Sequence, residues 1–313
     1  MKRGLDRNRN ERGVALLFSL GIIVFFAMLG AAYIGYMNNA YDAARFEVNQ
    51  SRVRGVAEAG IHAAIAEIQS ALADGGQPAS VYTFEPAVYR HEQAGRVAYA
   101  QKEVTVSVAD EMARVNLNHA PQAVLEALGF EAEAAAAMVK SRPRAAGKGR
   151  FLNTVDDMVA RELVTQRAHY DLREAGTLND LTVYTAIDPA SPKGFVNINT
   201  ASPRVLGAIF AVDETEAETI AGKRPFASWE DVLTGVGREP TTFNVRHTQI
   251  GSRNMPEALT LSSRCFRLTA EATVDFPGLR RSLKSATEAV VIFDENGHAR
   301  VRFWNTRPTE RSD

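Results

Sequence analysis

The fold is decided near the N-terminus by residues 12–37, RGVALLFSLGIIVFFAMLGAAYIGYM. From Val14 to Met37 no side chain carries a charge, and 24 helical residues rising about 1.5 Å each span about 36 Å. This length covers the roughly 30 Å hydrocarbon core of a bilayer. The pattern therefore predicts one transmembrane helix at residues 14–37, with the basic side chains of residues 1–13 on the cytoplasmic side.

Two simpler interpretations of this stretch are a secretory signal peptide and a signal anchor that is never processed. The apolar stretch is longer than an ordinary signal-peptide core, and no small-residue cleavage site followed by a turn ends it. Gly13 instead separates the basic segment from the apolar helix. This boundary resembles the type III leader of prepilins, which prepilin peptidase cuts after the glycine before it methylates the new N-terminus. The resemblance implies cleavage between Gly13 and Val14, and methylation of Val14.

Phe18 departs from that leader pattern, because major pilins and most pseudopilins carry Glu at the fifth mature position. A carboxylate inside a bilayer is costly unless it is paired. In the family it pairs with the N-terminal amine of the subunit assembled ahead, and a subunit with nothing ahead of it has no amine to meet. Phe18 is therefore typical of a tip position, although a chain unrelated to pilins would fit Phe18 equally well.

The helix is predicted to continue beyond the membrane through residues 38–76. Between Ala40 and Leu72 the chain contains no proline, and apolar residues recur at helical spacing. Asp74-Gly-Gly-Gln-Pro78 then supplies two glycines and a proline, which favour the end of a helix. The long N-terminal helix of a pilin-like subunit is the expected result.

Strand-like alternation of apolar and polar side chains occurs on both sides of a helix-rich block. The alternating runs lie within residues 77–109 and 263–313, and the block occupies residues 110–262. Glu295-Asn-Gly-His298 predicts a hairpin with a type I′ turn, because Asn-Gly accepts positive φ values. We therefore expect an α+β fold, in which a pilin-like antiparallel sheet is interrupted by an inserted all-α domain.

The helix-rich block contains an internal repeat. Val115-Asn-Leu-Asn-His-Ala120 recurs as Val196-Asn-Ile-Asn-Thr-Ala201. In each copy a Val-Leu pair, an Arg-Pro pair, a phenylalanine and a further helix start follow in the same order. The motif positions singled out as structural are Asn116, Asn118, Ala120, Asn197, Asn199, Thr200 and Ala201.

The copies, at about 115–160 and 196–235, are expected to form two helix-hairpin-helix-like units. Asn and Thr ahead of an apolar run satisfy free N–H groups at a helix start, so Asn118 and Thr200 are the predicted caps. The first copy has extra residues at Arg144–Arg150, which are rich in Gly, Ala and basic side chains and predict a loop.

Helix-hairpin-helix units raise the hypothesis of DNA binding, because DNA-binding members hold a phosphate at a Gly-x-Gly hairpin. The hairpins here read Leu128-Gly-Phe-Glu-Ala132 and Phe210-Ala-Val-Asp-Glu214, with carboxylates where a phosphate would lie. The net charge is −1, and it becomes −4 without residues 1–13, which carry five basic and two acidic side chains. We therefore expect structural packing and no nucleic-acid partner.

The sequence gives little support to enzyme chemistry. It contains no Gly-x-Ser-x-Gly elbow, phosphate loop or Gly-x-Gly-x-x-Gly, and its six histidines have no metal-ligand spacing. Cys265 is the only cysteine, so no disulfide forms within the chain. Its strand-like surroundings favour a small packed side chain over a nucleophile. We expect no catalytic residue.

Taken in order along the chain, these features resemble the minor pseudopilin K family (GspK) of type II secretion. The resemblance covers nearly the whole chain. It rests on the Gly13 boundary, Phe18, the paired Asn-rich motifs, and Leu181-Thr-Val-Tyr184 ahead of the second motif. It implies a single-pass inner-membrane subunit with a cytoplasmic N-terminus and a periplasmic head. The implied function is to cap the pseudopilus tip and to start its assembly with minor pseudopilins I and J, for protein export across the outer membrane.

The resemblance also implies further partners and raises one cofactor. The partners are the other pseudopilus subunits, prepilin peptidase, the outer-membrane secretin and secreted substrates. Some members bind calcium in the head, and the acidic candidates here are Asp110, Glu111, Asp156 and Asp157. Their positions favour solvated carboxylates at helix starts over calcium ligands. Two other functions stay open: a minor pilin of a type IV pilus-like machine, and a membrane-anchored helix-hairpin-helix receptor for DNA.

Overall fold

The computed structural model describes most of the chain. The described residues are 4–76, 78–84, 100–143, 150–185, 196–237, 247–250, 253–256, 258–275, 282–307 and 310–311. For residues 4–13 and for some strand positions it describes the backbone alone. Residues 144–149, which make up almost all of the predicted loop in the first copy, lie outside these ranges.

Along the chain, the strands of the main sheet lie before and after a helix-rich block. In chain order they are α1 Gly4–Ala73, β1 Val81–Phe84, β2 Ala100–Asp110, β3 Val115–Asn116, α2 Gln122–Ala127, α3 Ala132–Ser141, α4 Asp157–Ala160, α5 Gln166–Glu174, β4 Leu181–Thr182, β5 Val196–Asn197, α6 Pro203–Phe210, α7 Glu214–Gly222, α8 Trp229–Val236, β6 His247–Ile250, β7 Arg253–Pro256, β8 Leu259–Thr260, β9 Cys265–Asp275, β10 Leu283–Phe293, β11 Ala299–Thr306 and β12 Glu310–Arg311. The α+β prediction is confirmed, but the insert is not all-α as predicted, because the short strands β3 to β8 lie within it and pair with one another.

The first element, α1, is one continuous helix of 70 residues, about 105 Å long at 1.5 Å per residue. Within the part of the chain that the structure describes, α1 is the one helix long and apolar enough to cross a membrane. Its most apolar window is not buried in the protein. The helix ends at Ala73, and Gly75 follows with a φ of +72°. The predicted continuous helix and its end are confirmed.

A six-stranded antiparallel sheet lies against the second half of α1. Its order is β1-β2-β9-β10-β11, with β12 beside β10. Strands β2 and β9 are neighbours in this order, and Val108 pairs with Leu268 in their register. The sheet is therefore continuous across the point where the chain leaves it after β2 and returns at β9.

One face of the sheet and α1 enclose an apolar core. From α1 the side chains of Val53, Ile61 and Ile68 are fully buried in it. At Gly60 the helix lies close against the sheet, since a Cβ at this position would lie 2.5 Å from Cγ1 of Val104 in β2. Helical spacing in α1 and alternation in the strands thus meet in one packed layer.

The other face of the sheet carries a smaller apolar cluster around Cys265. It consists of Met112, Cys265, Val290 and Ile292, with Phe303 packed against it. Cys265 is a buried free thiol, and burial raises its pKa well above the ordinary value. A buried protonated thiol packs as a small apolar group, so the predicted packing role of Cys265 is confirmed.

The predicted hairpin between β10 and β11 is present, but its predicted type I′ turn is wrong. The N–H of Gly297 donates to the carbonyl of Asp294 at 3.0 Å, and the N–H of Asp294 donates to that of His298 at 3.0 Å. Gly297 has a φ of +80°, whereas Asn296 keeps a negative φ. This is a three-residue loop with a left-handed glycine. The Asp294 side chain accepts the N–H of Asn296 at 2.9 Å and so favours this shape over the two-residue loop.

Between β2 and β9 the helical block has an apolar core of its own. Both copies of the repeat contribute to it, through Val124 and Leu125 of α2 and through Val205 and Leu206 of α6. All four side chains are fully buried. A repeat of this size cannot bury its apolar face alone, and pairing two copies completes a single core.

Candidate functional site

The first asparagine of each motif turns the chain in the same way. Its side-chain oxygen accepts the backbone N–H two residues on, at 2.8 Å for Asn116 and 2.9 Å for Asn197. Its amide donates to a hydroxyl, that of Thr185 at 3.1 Å and that of Ser263 at 2.6 Å. Both asparagines are buried, and both form the Asx turn that favours this residue type.

The second asparagine of each motif binds a distant backbone segment. Asn118 donates to the carbonyl of Leu152 at 3.0 Å and accepts its N–H at 2.8 Å. Asn199 donates to the carbonyl of Phe226 at 3.0 Å and accepts its N–H at 2.7 Å. It also donates to the carbonyl of Leu261 at 2.9 Å. Each carboxamide thus closes its copy by pairing with both the N–H and the C=O of one residue.

The predicted helix caps at Asn118 and Thr200 are therefore wrong. Helix α2 begins after Pro121 without a side-chain cap, and α6 begins after Ser202, whose hydroxyl accepts the N–H of Val205 at 3.2 Å. A buried peptide group left without a partner costs more than an exposed helix end that water can bind. The asparagine accordingly pairs with the buried backbone, and Thr200 donates to a carboxylate at the end of β2.

A parallel pair of two-residue strands completes each copy. Strand β3 pairs with β4, and β5 pairs with β8, so Leu181-Thr182 and Leu259-Thr260 occupy equivalent places. The repeated contacts extend past the predicted ends near residues 160 and 235, and the matching Leu-Thr pairs are the sequence signal for this. We call residues 115–185 the first repeat and residues 196–263 the second repeat.

Two arginines, which the sequence marks as Arg-Pro pairs, donate to the motifs. Arg142 donates to the carbonyl of Leu117 at 2.8 Å, and Arg224 donates to that of Ala201 at 2.6 Å. Burial lowers the pKa of Arg142 to about 10. Ala201 and its equivalent Ala120 are fully buried. The arginine side chains therefore serve the packing of each repeat.

The point where the chain leaves the sheet carries two adjacent carboxylates. Asp110 is the last residue of β2, and Glu111 begins a 3₁₀ turn at Glu111–Ala113. The chain returns to the sheet at Cys265. We call these two carboxylates and the residues that bond to their side chains the junction cluster: Asp110, Glu111, Met112, Arg114, Thr182, Asn197, Thr200, Ser263 and Arg267.

Asp110 binds the second repeat. Its carboxylate accepts hydrogen bonds from the hydroxyls of Thr200 and Ser263, and from the amide of Asn197 at 3.5 Å. It also accepts the backbone N–H of Met112 at 2.8 Å. Burial raises the pKa of Asp110, and the hydrogen bonds oppose that rise. One side chain therefore joins the end of β2 to both ends of the second repeat.

Glu111 binds the first repeat and the sheet together. It is fully buried, and it accepts hydrogen bonds from Thr182 in β4 and from Arg267 in β9. Arg114 donates a third hydrogen bond at 2.8 Å. Arg267 also pairs with Glu288 of β10. Burial disfavours the charged form of Arg267 and by itself would lower its pKa. The hydrogen bonds and negative charges of Glu111 and Glu288 have the larger effect, so the pKa of Arg267 is raised.

The turns that would hold a phosphate in a DNA-binding unit are built differently here. Gly129 and Ala211 are left-handed, with φ of +99° and +52°, so each turn has one such residue. The carboxylate of Asp213 accepts the N–H of Glu216 at 2.9 Å and fills the N-terminus of α7. Glu133 lies in the first turn of α3. A phosphate would meet negative charge at both turns.

The four acidic candidates for a calcium site do not form a ligand set. Asp110 and Glu111 are occupied in the junction cluster. Oδ1 of Asp156 lies 3.3 Å from Nε2 of His169. The side chain of Asp157 accepts the backbone N–H of Asn153, ahead of α4, at 2.8 Å. Across the described ranges, no three His, Cys, Asp or Glu side chains come together in a way that could hold a metal ion. Calcium takes six to eight oxygen ligands, so these residues do not fit it.

The residues of the predicted processing site lie inside α1. Gly13 and Val14 are both helical, and the side chain of Phe18 is 72% exposed. The hydroxyl of Ser19 donates to the carbonyl of Ala15 at 2.8 Å, so this polar group is satisfied within the helix, as a bilayer requires. The cleavage after Gly13, the methylation of Val14 and the interpretation of Phe18 as a mark of the tip position stay predictions.

A long apolar N-terminal helix, an antiparallel sheet packed on it and helices inserted between two sheet strands define a pseudopilin-like fold. No protein-family model matches the chain, and no curated protein matches it. Among solved structures, it is similar to a chain in the crystal structure of the GspK-GspI-GspJ complex from the type 2 secretion system of enterotoxigenic Escherichia coli. The TM-score is 0.55 at 13% sequence identity, over 84% of this chain and 99% of that chain. At this identity the similarity is one of fold.

Proposed function

We propose that this chain is a non-enzymatic minor pseudopilin of a type II secretion system, and that it caps the tip of the pseudopilus. The observation that carries the proposal is the shared fold, which extends over 99% of a chain in the GspK-GspI-GspJ complex. The one described helix that can cross a membrane supports a single-pass anchor. We place the anchor in the inner membrane with its basic N-terminus in the cytoplasm.

The domain organisation proposed with this function has five parts. These are a leader at 1–13, a transmembrane helix at 14–37, its periplasmic continuation at 38–76, a sheet head at 77–109 and 263–313, and an inserted α domain at 110–262. Two separate apolar cores support the division between head and insert. The junction cluster supports a fixed attachment between them, and a bulky insert held in this way would block the addition of a subunit ahead.

Processing and position in the filament belong to the same proposal. Prepilin peptidase removes residues 1–13 and methylates Val14, which leaves Phe18 at the fifth mature position. Because Phe18 offers no carboxylate to the amine of a subunit ahead, the chain is suited to go first. The proposed partners are minor pseudopilins I and J and the other pseudopilus subunits, with the secretin and secreted substrates beyond them.

Co-purification tests this proposal. The full chain is expressed with prepilin peptidase and with minor pseudopilins I and J of the same bacterium, and complexes are purified from membranes. We expect a complex of all three proteins, in which mass spectrometry finds this chain without residues 1–13. In the control variant Gly13→Leu the leader stays attached. A chain that binds neither I nor J would instead support a minor pilin of another machine, and firm, salt-sensitive DNA binding in a gel shift would support the DNA receptor.

A further inference from the structure

Strand β11 forms one edge of the six-stranded sheet. In the strand order it follows β10, and no strand in the described ranges lies on its other side. Alternate backbone N–H and C=O groups of an edge strand point outward, and they are the groups that pair with an added strand. With eight residues, β11 is longer than β1 at the opposite edge, which has four. A β-bulge between Val301 and Phe303 interrupts its register with β10, so a partner strand would pair with the stretches on either side of the bulge.

The face of β11 toward α1 is apolar and open. Val301 and Trp304 are 48% and 37% exposed, although the residues that they pair with, Val291 and Ala289, are fully buried in the core beneath α1. The ring of Trp304 lies 5.6 Å from that of His62 in α1, measured between ring centres. Partly exposed apolar side chains beside an open edge gain burial when a further strand covers them.

The opposite face of β11 carries Arg300 and the partly buried Phe303, and Arg302 lies at the bulge between Val301 and Phe303. Arg300 pairs in register with Ile292, whose side chain lies in the cluster around Cys265. Arg302 lies close enough to the Cys265 thiol to favour its ionised form. Both arginines are exposed. The edge therefore presents two different chemistries, apolar toward α1 and positive on the other side.

We propose that β11 binds, edge to edge, a strand of another protein that is acidic on one face and apolar on the other. Directly opposed charges of opposite sign stabilise a strand pair, and like charges destabilise it. A second copy of this chain, paired through β11, would bring arginines toward arginines, so charge disfavours it as the occupant. Charged residues on an edge strand can also serve simply to prevent chance pairing with other proteins. That role does not explain why Val301 and Trp304 leave apolar surface exposed at the same edge.

Peptide binding tests this proposal on the full chain in lipid nanodiscs. The probe is the peptide acetyl-Thr-Glu-Val-Glu-Val-Glu-Val-Thr-amide, and the signal is the emission of Trp304. Only one other tryptophan, Trp229 in α8, is present in the chain. We expect the peptide to shift the emission to shorter wavelength, because docking covers the Trp304 ring. Trp304→Phe keeps Trp229 as an internal control and should show no shift.

Two matched peptides and one variant separate strand addition from chance adsorption. Replacing every Glu by Lys should weaken binding about tenfold, and N-methylating alternate residues on the pairing edge should abolish it. The double variant Arg300→Glu/Arg302→Glu should reverse the preference and bind the Lys peptide better. A reversed preference cannot come from misfolding, and hydrogen exchange in β10 checks the fold independently.

Three results would overturn the proposal: equal affinity for the Glu and Lys peptides, undiminished binding of the N-methylated peptide, or no emission shift up to about 1 mM peptide. The proposal does not depend on the type of secretion machine. If the peptide binds as expected but pseudopilins I and J do not co-purify, the proposed function fails and the edge-strand site stands. The reverse result leaves the proposed function and removes the site.

Discussion

The first and second repeats share one architecture, yet they are attached to the sheet by different chemistry. In the second repeat, neutral donors from Asn197, Thr200 and Ser263 meet the carboxylate of Asp110. In the first repeat, Thr182 meets Glu111, and two arginines share the same carboxylate. His119 stands in the first repeat where Thr200 stands in the second, and its ring lies 5.6 Å from that of Phe151.

This difference shows that two copies of one motif can be attached to the same sheet by bonds of unequal strength. Removing the charge of a buried carboxylate between arginines leaves positive charge without its partner, which is costly. Removing the charge of a carboxylate surrounded by neutral donors costs only part of several hydrogen bonds. The link to the first repeat should therefore be the stronger of the two, and equivalent substitutions should reveal the imbalance.

The largest expected effect comes from neutralising the two carboxylates one at a time. We expect Glu111→Gln to lower the free energy of unfolding by about 3 kcal/mol, because Arg114 and Arg267 lose a fully buried partner. Asp110→Asn should lower it by about 1 kcal/mol, because its donors are neutral. Denaturant unfolding of the full chain in detergent, followed by circular dichroism, measures both losses.

A matched control for these variants is Asp171→Asn. Asp171 forms an exposed ion pair with Arg167 in α5, at 3.2 Å, and should contribute almost nothing to stability. Equal losses for Glu111→Gln and Asp110→Asn would remove the proposed imbalance. A larger loss for Asp110→Asn would reverse the comparison and make the second repeat the more firmly attached one.

The next effect tests what the repeats share. Asn118→Ala and Asn199→Ala each leave the backbone N–H and C=O of one residue, Leu152 or Phe226, without their partner. We expect a loss of about 2 kcal/mol in each variant, and a slightly greater one for Asn199 because it also bonds the Leu261 carbonyl.

Hydrogen exchange locates the damage in these asparagine variants. The N–H of Leu152 should exchange faster in one variant, and that of Phe226 in the other. Asn179→Ala, at an exposed position, is the control and should leave stability unchanged within about 0.5 kcal/mol. Exchange that rises equally at both peptide groups in both variants would show that the repeats open as one unit.

The long helix, the sheet, the hairpin position and the repeat could all be predicted from the sequence. Each of them leaves a local or periodic pattern: apolar residues at helical spacing in α1, alternation in β9 and β10, and Asn-x-Asn recurring in identical order. The end of α1 could be placed because Gly75 and Gly76 interrupt the helical pattern at one point. A sequence pattern is sufficient to predict those elements whose structure is determined by residues close together in the sequence.

The junction cluster could not be predicted, because its contacts join distant parts of the chain. Ser263 and Asp110 are 153 positions apart, and Asn118 and Leu152 are 34 apart. The cap prediction for Asn118 failed for the same reason, since a local rule was applied to a side chain with a long-range partner. The Leu-Thr sequence recurs in β4 and β8, but a two-residue match is too short to be recognised as part of the repeat until the pairing of these strands with β3 and β5 is known.

The smallest expected effect is a pH dependence of opposite sign in the two repeats. Burial, aided by Arg142, lowers the pKa of His119 to about 4 from an ordinary 6.5. Between these values the unfolded chain binds a proton that the folded chain does not. Stability in the first repeat therefore falls as the pH drops from 6.5 to 4. Asp110 has a raised pKa, so its contribution is present below pH 3.8 and is lost as the pH rises through the folded value.

Unfolding of wild type, His119→Thr and Asp110→Asn between pH 6.5 and 4 separates the two slopes. His119 is partly exposed, so solvent screening keeps its share below about 1 kcal/mol. His119→Thr should lose less stability than wild type as the pH falls, because the unfolded chain no longer gains that proton. Asp110→Asn should lose more, since it lacks the group whose contribution returns at low pH. If the three curves are parallel, neither site is coupled to folding through its proton. The repeats then differ in hydrogen-bond partners alone.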